Sequence, residues 1–254
     1  MITPTPAQPA KLEMTSIGHW LRQGWQDFSN ASLPSIAYAA IFCLAGGVAL
    51  LWLLQSGLGL LFFVLAGGFM MTAPLLITGY FRVAQLLREG KEPSFDDIVH
   101  SFRRAPGPVW ALGMVAAIMY LIWITDALII YSVYFDLKQA VVMSEFAANP
   151  GVRGNAAAFL FFAGLLGSML AFIMFTITVF GVPYAYDRGA GFVDAVVFSV
   201  KGVFLNFPVM MVWGLVLATG TLGTLLLALP LIIVVFPILS YAGFAAYREA
   251  IGDR

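Results

Sequence analysis

The sequence predicts an all-α integral membrane protein with six transmembrane helices, and three observations carry this prediction. First, the 254 residues are 61% hydrophobic and 10% charged. Soluble domains, by comparison, carry about 25% charged residues. Second, the mean hydropathy of the chain is +0.92. Third, the charged residues leave long gaps, and each gap can hold one or two spanning helices of about 20 residues.

The gaps between charged residues locate the spans. Residues 28–81 and 202–247 contain no charged residue, so each block can hold two helices. A polar Gln-Ser-Gly sequence divides the first block. The second block divides within a Thr- and Gly-rich segment or just before Pro230. Two further apolar stretches, between the two blocks, hold one helix each. The predicted spans are about 34–54, 57–81, 108–131, 155–182, 207–224 and 225–247, in one membrane domain of residues 15–250 behind a polar tail, 1–14.

Positive charges predict the orientation of these spans, because cytoplasmic loops carry an excess of Lys and Arg. Six spans place both termini and two of the loops on one face. This face holds 11 of the 13 Lys and Arg residues: Lys11, Arg22, Arg82, Arg88, Lys91, Arg103, Arg104, Arg188, Lys201, Arg248 and Arg254. The other face keeps Lys138 and Arg153. We therefore expect both termini to lie in the cytoplasm.

The chain also contains a degenerate internal pattern. An amphipathic stretch and a proline precede each odd-numbered span, at residues 18–34, 95–108 and 192–208. Each even-numbered span carries a proline and then an aromatic residue close to an arginine. The pattern predicts three pseudo-repeated helix hairpins, each preceded by a cytoplasmic interfacial amphipathic helix. Ordinary anchoring at the membrane surface is the alternative explanation.

Small residues recur at four-residue spacing in several predicted spans. Such spacing permits close approach of helix backbones, which is how many membrane helices associate. It predicts tight packing within the bundle or contact between copies of the chain. The sets are Ala39/Cys43/Gly47, Ala163/Gly167, Gly164/Ser168, Gly214/Ala218 and Ala242/Ala246.

Asp126 is the one charged residue inside a predicted span. A carboxylate in the hydrocarbon region is costly, which makes Asp126 a candidate intramembrane polar site for a proton, a cation or a partner helix. A position in the outer headgroup region is the alternative, because the carboxylate would cost little there.

The other candidate residues lie in the predicted interfacial segments. Trp20 and Trp25 are candidates for the headgroup boundary. His19 and His100 could form a bis-histidine haem site, or could simply be solvated at the interface. A basic cluster that includes Arg103 and Arg104 predicts contact with anionic lipids, although acidic residues in the same loop weaken it.

The chain resembles an uncharacterised bacterial family of predicted multi-pass membrane proteins, catalogued as a domain of unknown function. Residues 20–28, with Pro34 and Tyr38, carry the first part of this resemblance. Residues 73–80 and 88–93 carry the second. The resemblance implies an inner-membrane protein without an established activity, and some relatives are labelled as cytochrome c oxidases.

A haem–copper oxidase core needs several histidines inside the membrane. This chain has two, both in interfacial segments, so it cannot be the catalytic subunit. Phosphate-binding loops, nucleophile elbows and zinc-protease motifs are also missing from the sequence. The 13 basic and 13 acidic residues cancel, which excludes a basic surface for nucleic acid. We expect no enzyme activity, no cofactor and no metal.

Two functions remain for a membrane protein of this kind. The first is a non-enzymatic accessory, assembly or scaffold subunit, whose partners are the lipid bilayer and the subunits of a respiratory complex of the cytochrome oxidase type. A homo-oligomer is a further assembly that the small residues permit. The second is a transporter or channel for a small solute, which the repeat and the proline-containing helices favour.

Overall fold

The computed structural model describes residues 8–135 and 148–253, so Lys138 and most of the outer loop lie outside the description. The described residues form α-helices joined by short turns, with no β-strand among them. The helices are α1 (Ser16–Asn30), α2 (Ser32–Gln55), α3 (Phe62–Leu76), α4 (Thr78–Arg88), α5 (Phe95–Arg103), α6 (Gly107–Tyr134), α7 (Pro150–Thr178), α8 (Gly181–Arg188), α9 (Phe192–Leu205), α10 (Phe207–Leu227) and α11 (Ile232–Ala250).

Six helical segments among these residues are long and apolar enough to cross a membrane, as the sequence predicted. They are Ser32–Gln55, Gly59–Leu76, Gly107–Tyr134, Pro150–Arg188, Phe207–Leu227 and Leu229–Ala250.

Several helix ends differ from the predicted ones. The predicted second span ends early, because the helix breaks at Ile77, three residues after Pro74, and resumes as α4. A proline removes a backbone donor and its ring crowds the preceding turn, which weakens the helix there. The last two spans separate at Ala228, beyond the predicted 224/225 boundary and just before a 3₁₀ turn that contains Pro230.

The short helices define one end of the bundle. Both α1 and the end of α11 lie there, joined by a hydrogen bond from Trp20 to Glu249. We call this end, with α1, α5, α9 and both described chain ends, the basal face. The opposite end is the distal face, where 3₁₀ turns at 59–61 and 229–231 connect α2 to α3 and α10 to α11.

Each short helix α1, α5 and α9 packs on the helix that ends the preceding hairpin. Helix α5 packs on α4, α9 packs on α8, and α1 packs on α11, which closes a ring. Glycines allow these close crossings. A Cβ at Gly24 would overlap the backbone of α11, a Cβ at Gly79 would collide with Ile98 of α5, and a Cβ at Gly181 would lie 3.2 Å from the Ala195 carbonyl oxygen.

The described parts of the spanning helices leave a cleft in this arrangement. Helix α6 packs on both α3 and α7, and α2 packs on α11. Helix α10 packs on α3 and α11, so that a cleft opens between α3, α7 and α10.

Candidate functional site

The cleft between α3, α7 and α10 has a volume of about 440 Å³ and lies within the spanning part of the bundle. Its walls are almost entirely apolar, and two of them include several small residues. The small residues on α7 and α10 are Gly164, Gly167, Ser168, Ala171, Gly214 and Ala218.

Trp123 of α6 forms the back of the cleft. Its indole is 1% exposed, and its Nε1 donates a 2.8 Å hydrogen bond to the Val64 carbonyl oxygen of α3. The indole lies against Gly167, where a Cβ would come within 2.6 Å of the ring, and against Gly67, where it would come within 3.2 Å. The two glycines therefore make room for a fixed aromatic wall, since any larger residue would push the indole out of place.

A smaller cavity of about 110 Å³ continues from the cleft into the bundle, and the two share Met70, Met71, Ala171 and Phe175. Thr178, Thr221 and Ser240 line the inner cavity, and the hydroxyls of Thr178 and Ser240 donate to carbonyls of their own helices, 2.6 and 2.7 Å away. These two donors are therefore already engaged. The other residues that line the cleft and its inner cavity are mainly apolar, and none of the lining residues is charged.

A polar network joins the helix ends at the basal face. The Asp187 carboxylate accepts hydrogen bonds from Gln85 Nε2 at 2.9 Å and from the Tyr247 hydroxyl at 3.0 Å, and it pairs with Arg188 Nε at 3.2 Å. These donors lie on α4, α11 and α8. The partly buried Asp187 carboxylate therefore ties together the basal ends of the three helices that follow or end the even-numbered spans.

A polar pocket of about 610 Å³ opens at the basal face between α1, α4 and α11. Ser16, His19 and Gln23 form its α1 wall, while Arg88 of α4 and Arg248 of α11 face them. Behind this wall Asp27 is 7% exposed and accepts a 2.8 Å hydrogen bond from Gln23 Nε2. Burial raises the pKa of Asp27, against the smaller effects of that hydrogen bond and of Arg88.

The two predicted interfacial tryptophans have different environments. Trp20 is fully enclosed by protein, where its Nε1 donates to Glu249 Oε2 at 2.9 Å and its ring meets Trp213 edge-on at 5.5 Å. Trp25 is 56% exposed and packs beside Phe28. Of the pair, only Trp25 has a free surface to offer to lipid.

Asp126 lies on α6, about 12 Å along the helix axis from its end at Tyr134. The residue is partly exposed, and it has no hydrogen bond or ion pair with any other described residue. Asp126 does not line the cleft, the inner cavity or the basal pocket.

The remaining predicted residues are spread over the basal face. His19 is exposed on the α1 wall of the basal pocket. His100 is bound within α5, where Nδ1 lies 2.9 Å from the Asp96 carbonyl oxygen and 3.0 Å from its carboxylate. Arg103 and Arg104 are exposed at the end of α5. In residues 8–135 and 148–253, no group of three His, Cys, Asp or Glu residues could hold a metal.

The sequence did not identify the residues that form the hydrogen bonds and ion pairs between helices at the basal face. From sequence, Arg188 and Arg248 are used only in the count of positive charges, and nothing is predicted for Asp187 or Glu249. A signal is present, since each of these residues lies within two positions of a tyrosine at the end of an even-numbered span. Their partners are distant in sequence, so the pattern could not name them.

Half of the chain matches the model of a known protein family. Residues 61–187 match the model of a family described as "Predicted integral membrane protein (DUF2189)". The matched region runs from the 3₁₀ turn before α3 to α8 and includes the sequence patterns at 73–80 and 88–93. No curated protein and no solved structure matches the chain.

Proposed function

The chain belongs to this family of predicted integral membrane proteins, and from that premise we propose that it is a non-enzymatic accessory, assembly or scaffold subunit of a membrane complex. The partner is an integral membrane protein. One transmembrane helix of the partner packs into the cleft between α3, α7 and α10.

The lining of the cleft is the observation that carries this proposal. Three pairs of small residues line it at four-residue spacing, two on α7 and one on α10, namely Gly164/Ser168, Gly167/Ala171 and Gly214/Ala218. Such pairs let a second helix approach closely, and dispersion contacts then stabilise the association in lipid. Large side chains at the rim, Leu215 at 63% and Phe172 at 38% exposure, add apolar contact area for the same helix.

The surroundings of the cleft favour a rigid docking site. Trp123 is fixed by its hydrogen bond to Val64, and a preformed surface lowers the ordering cost of association. A transporter or channel is the second candidate. It is less favoured because mainly apolar side chains and no charged residue line the cleft and the inner cavity, and the hydroxyls of Thr178 and Ser240 are engaged by their own helices.

The orientation and the repeat belong to the same proposal. The basal face carries Arg88, Arg103, Arg104, Arg188 and Arg248, and the preference of basic residues for the cytoplasmic side supports a cytoplasmic basal face in a bacterial inner membrane. The ring of contacts α1 on α11, α5 on α4 and α9 on α8 supports three related helix hairpins. In this proposal α1, α5 and α9 lie at the level of the headgroups.

The experiment extracts the native complex in a gentle detergent and identifies what migrates with it. We expect an integral membrane partner, with respiratory subunits of the cytochrome oxidase type as the first to look for. In Ala218→Trp the new indole fills the cleft, and we expect the partner to be lost. Leu121→Trp is the matched control, since Leu121 is 64% exposed on α6 outside the cleft.

Two results would overturn the proposal. One is a chain that migrates alone or as a homo-oligomer and moves a solute across proteoliposomes, which would support the transporter. The other is equal retention of the partner by Ala218→Trp and Leu121→Trp, which would exclude the cleft as the docking site.

A further inference from the structure

The basal pocket between α1, α4 and α11 is separate from the cleft. Some of its polar side chains have hydrogen-bond or ion-pair partners in the described chain, and others have none. Two of the pocket's three carboxylates have partners on neighbouring side chains. Glu249 accepts 2.9 Å hydrogen bonds from Ser16 Oγ and Trp20 Nε1. Asp253 pairs with Arg248 and lies 3.9 Å from Arg188. The third, Glu13, is on the exposed rim.

The arginines of the pocket are not engaged to the same extent. Arg88 has no hydrogen bond and no ion pair within 4 Å among residues 8–135 and 148–253. Arg248 uses one terminal nitrogen on Asp253, while its buried Nε has no partner in the same part of the chain. The two arginines of this pocket therefore keep hydrogen-bond donors that have no partner among the described residues.

The positive charge of Arg248 acts on Arg88. Burial and that charge lower the pKa of Arg88, although Asp27, Asp253 and Asp187 act in the opposite direction. Two arginines that line one pocket and keep spare donors are best stabilised by an anion that accepts from both.

We propose that Arg88 and Arg248 bind the phosphate group of an organic phosphate in the basal pocket, with Ser16, His19 and Gln23 available to its polar substituent. The guanidinium fork matches two phosphate oxygens at once. The ligand is either the headgroup of an anionic phospholipid or a soluble phosphate ester, since both present the same group. Location at an end of the bundle, where spanning helices meet the headgroups, suits either source.

The test measures the thermal stability of the full chain in sugar-headed detergent with three added compounds. These are phosphatidylglycerol, glycerol phosphate and a galactolipid without phosphate. We expect the first or the second to raise the melting temperature in a saturable way, and the galactolipid to have no such effect. Stabilisation by phosphatidylglycerol alone identifies a lipid ligand, and stabilisation by glycerol phosphate identifies a soluble one.

Variants assign the effect to the pocket. Arg88→Gln is expected to weaken apparent binding roughly tenfold or more, because a charge-assisted hydrogen bond is lost. Folding should tolerate this change, since Arg88 makes no ion pair with the described chain. Arg88→Lys keeps the charge without the fork and should fall between Arg88→Gln and the wild type. Arg103→Gln is the matched control, because Arg103 is an exposed arginine outside the pocket.

The proposal is overturned if neither phosphate compound stabilises the chain beyond the galactolipid. It is also overturned if Arg103→Gln weakens the effect as much as Arg88→Gln, since the effect would then be general surface charge. Both readouts are independent of any partner protein, so they can fail while the helix-docking function stands.

Discussion

The Trp20 indole donates a 2.9 Å hydrogen bond to Glu249 Oε2, and so joins the first described helix to the last. The Trp20 ring also meets the Trp213 ring of α10 edge-on. Ser16 donates to the other Glu249 oxygen, also at 2.9 Å. Two donors from α1 thus hold one carboxylate of α11, and this contact closes the ring of short helices.

Trp20→Phe should therefore destabilise the chain by about 1–3 kcal/mol, because a charged acceptor loses a buried donor. The phenyl ring keeps part of the apolar contact with Trp213, so the loss combines the missing hydrogen bond with the smaller ring volume. Trp25→Phe is the control, since Trp25 is 56% exposed and should change stability by less than about 0.5 kcal/mol. Thermal unfolding in detergent measures both, and equal effects would contradict the role given to the Trp20 hydrogen bond.

Gly24→Leu should separate α1 from α11. A Cβ at Gly24 would overlap the Ile238 carbonyl oxygen and lie 3.0 Å from the Ala242 Cβ, so any side chain must displace one helix. We expect a loss of about 1–3 kcal/mol or more, as for overpacked cores, together with faster proteolysis of the N-terminal helix. Gly18→Leu tests the same replacement on the same helix where nothing lies within 4 Å. If both variants melt alike, close packing at Gly24 is unimportant.

The spans could be predicted from sequence, whereas these contacts could not. Long uncharged blocks reflect the cost of charge in hydrocarbon, and that cost acts on each segment separately. The Trp20–Glu249 bond joins residues 229 positions apart, and no local period records such a pair. The cleft could not be predicted from sequence either. The pairs Gly164/Ser168 and Gly214/Ala218 predict a close contact between helices, but only the packing of α10 on α3 and α11 shows that they face an opening.

Trp123→Phe tests the rigidity of the cleft. Phenylalanine keeps an aromatic wall but loses the donor to the Val64 carbonyl oxygen, which is 2.8 Å from the indole nitrogen. We expect a stability loss of about 1 kcal/mol and a weaker complex with the membrane partner, since the wall then moves more freely. The strength of the complex is measured as the amount of partner retained after detergent extraction. Trp110→Phe, on the same helix, is the control. Trp110 is 49% exposed, so that variant should keep the complex. Full retention by Trp123→Phe would show that wall rigidity is unnecessary.

Asp126 has no hydrogen bond or ion pair with the described residues and lies outside both cavities. Asp126→Asn therefore tests directly whether the one acidic residue inside the spans predicted from sequence has a function. If it binds a partner helix, the variant should lose the partner while the isolated chain melts unchanged or slightly higher, because a carboxylate near hydrocarbon is costly. Thr125→Val, at the adjacent exposed position, is the control. A complex unaffected by Asp126→Asn would remove the residue from the functional site.

Asp27 should make the stability of the chain depend on pH. Burial raises the pKa of its carboxyl above the ordinary 3.8, so the folded state binds the proton more tightly than the unfolded state does. Its contribution to stability is then greatest in acid and is lost as the pH rises from 3.8 through the raised pKa. Asp27→Asn should melt a few degrees higher than the wild type at neutral pH, and the difference should vanish in acid. Asp194→Asn, which removes an exposed carboxylate from α9, should show neither effect. A lower melting temperature for Asp27→Asn at neutral pH would instead mean that attraction to Arg88 outweighs the cost of burial.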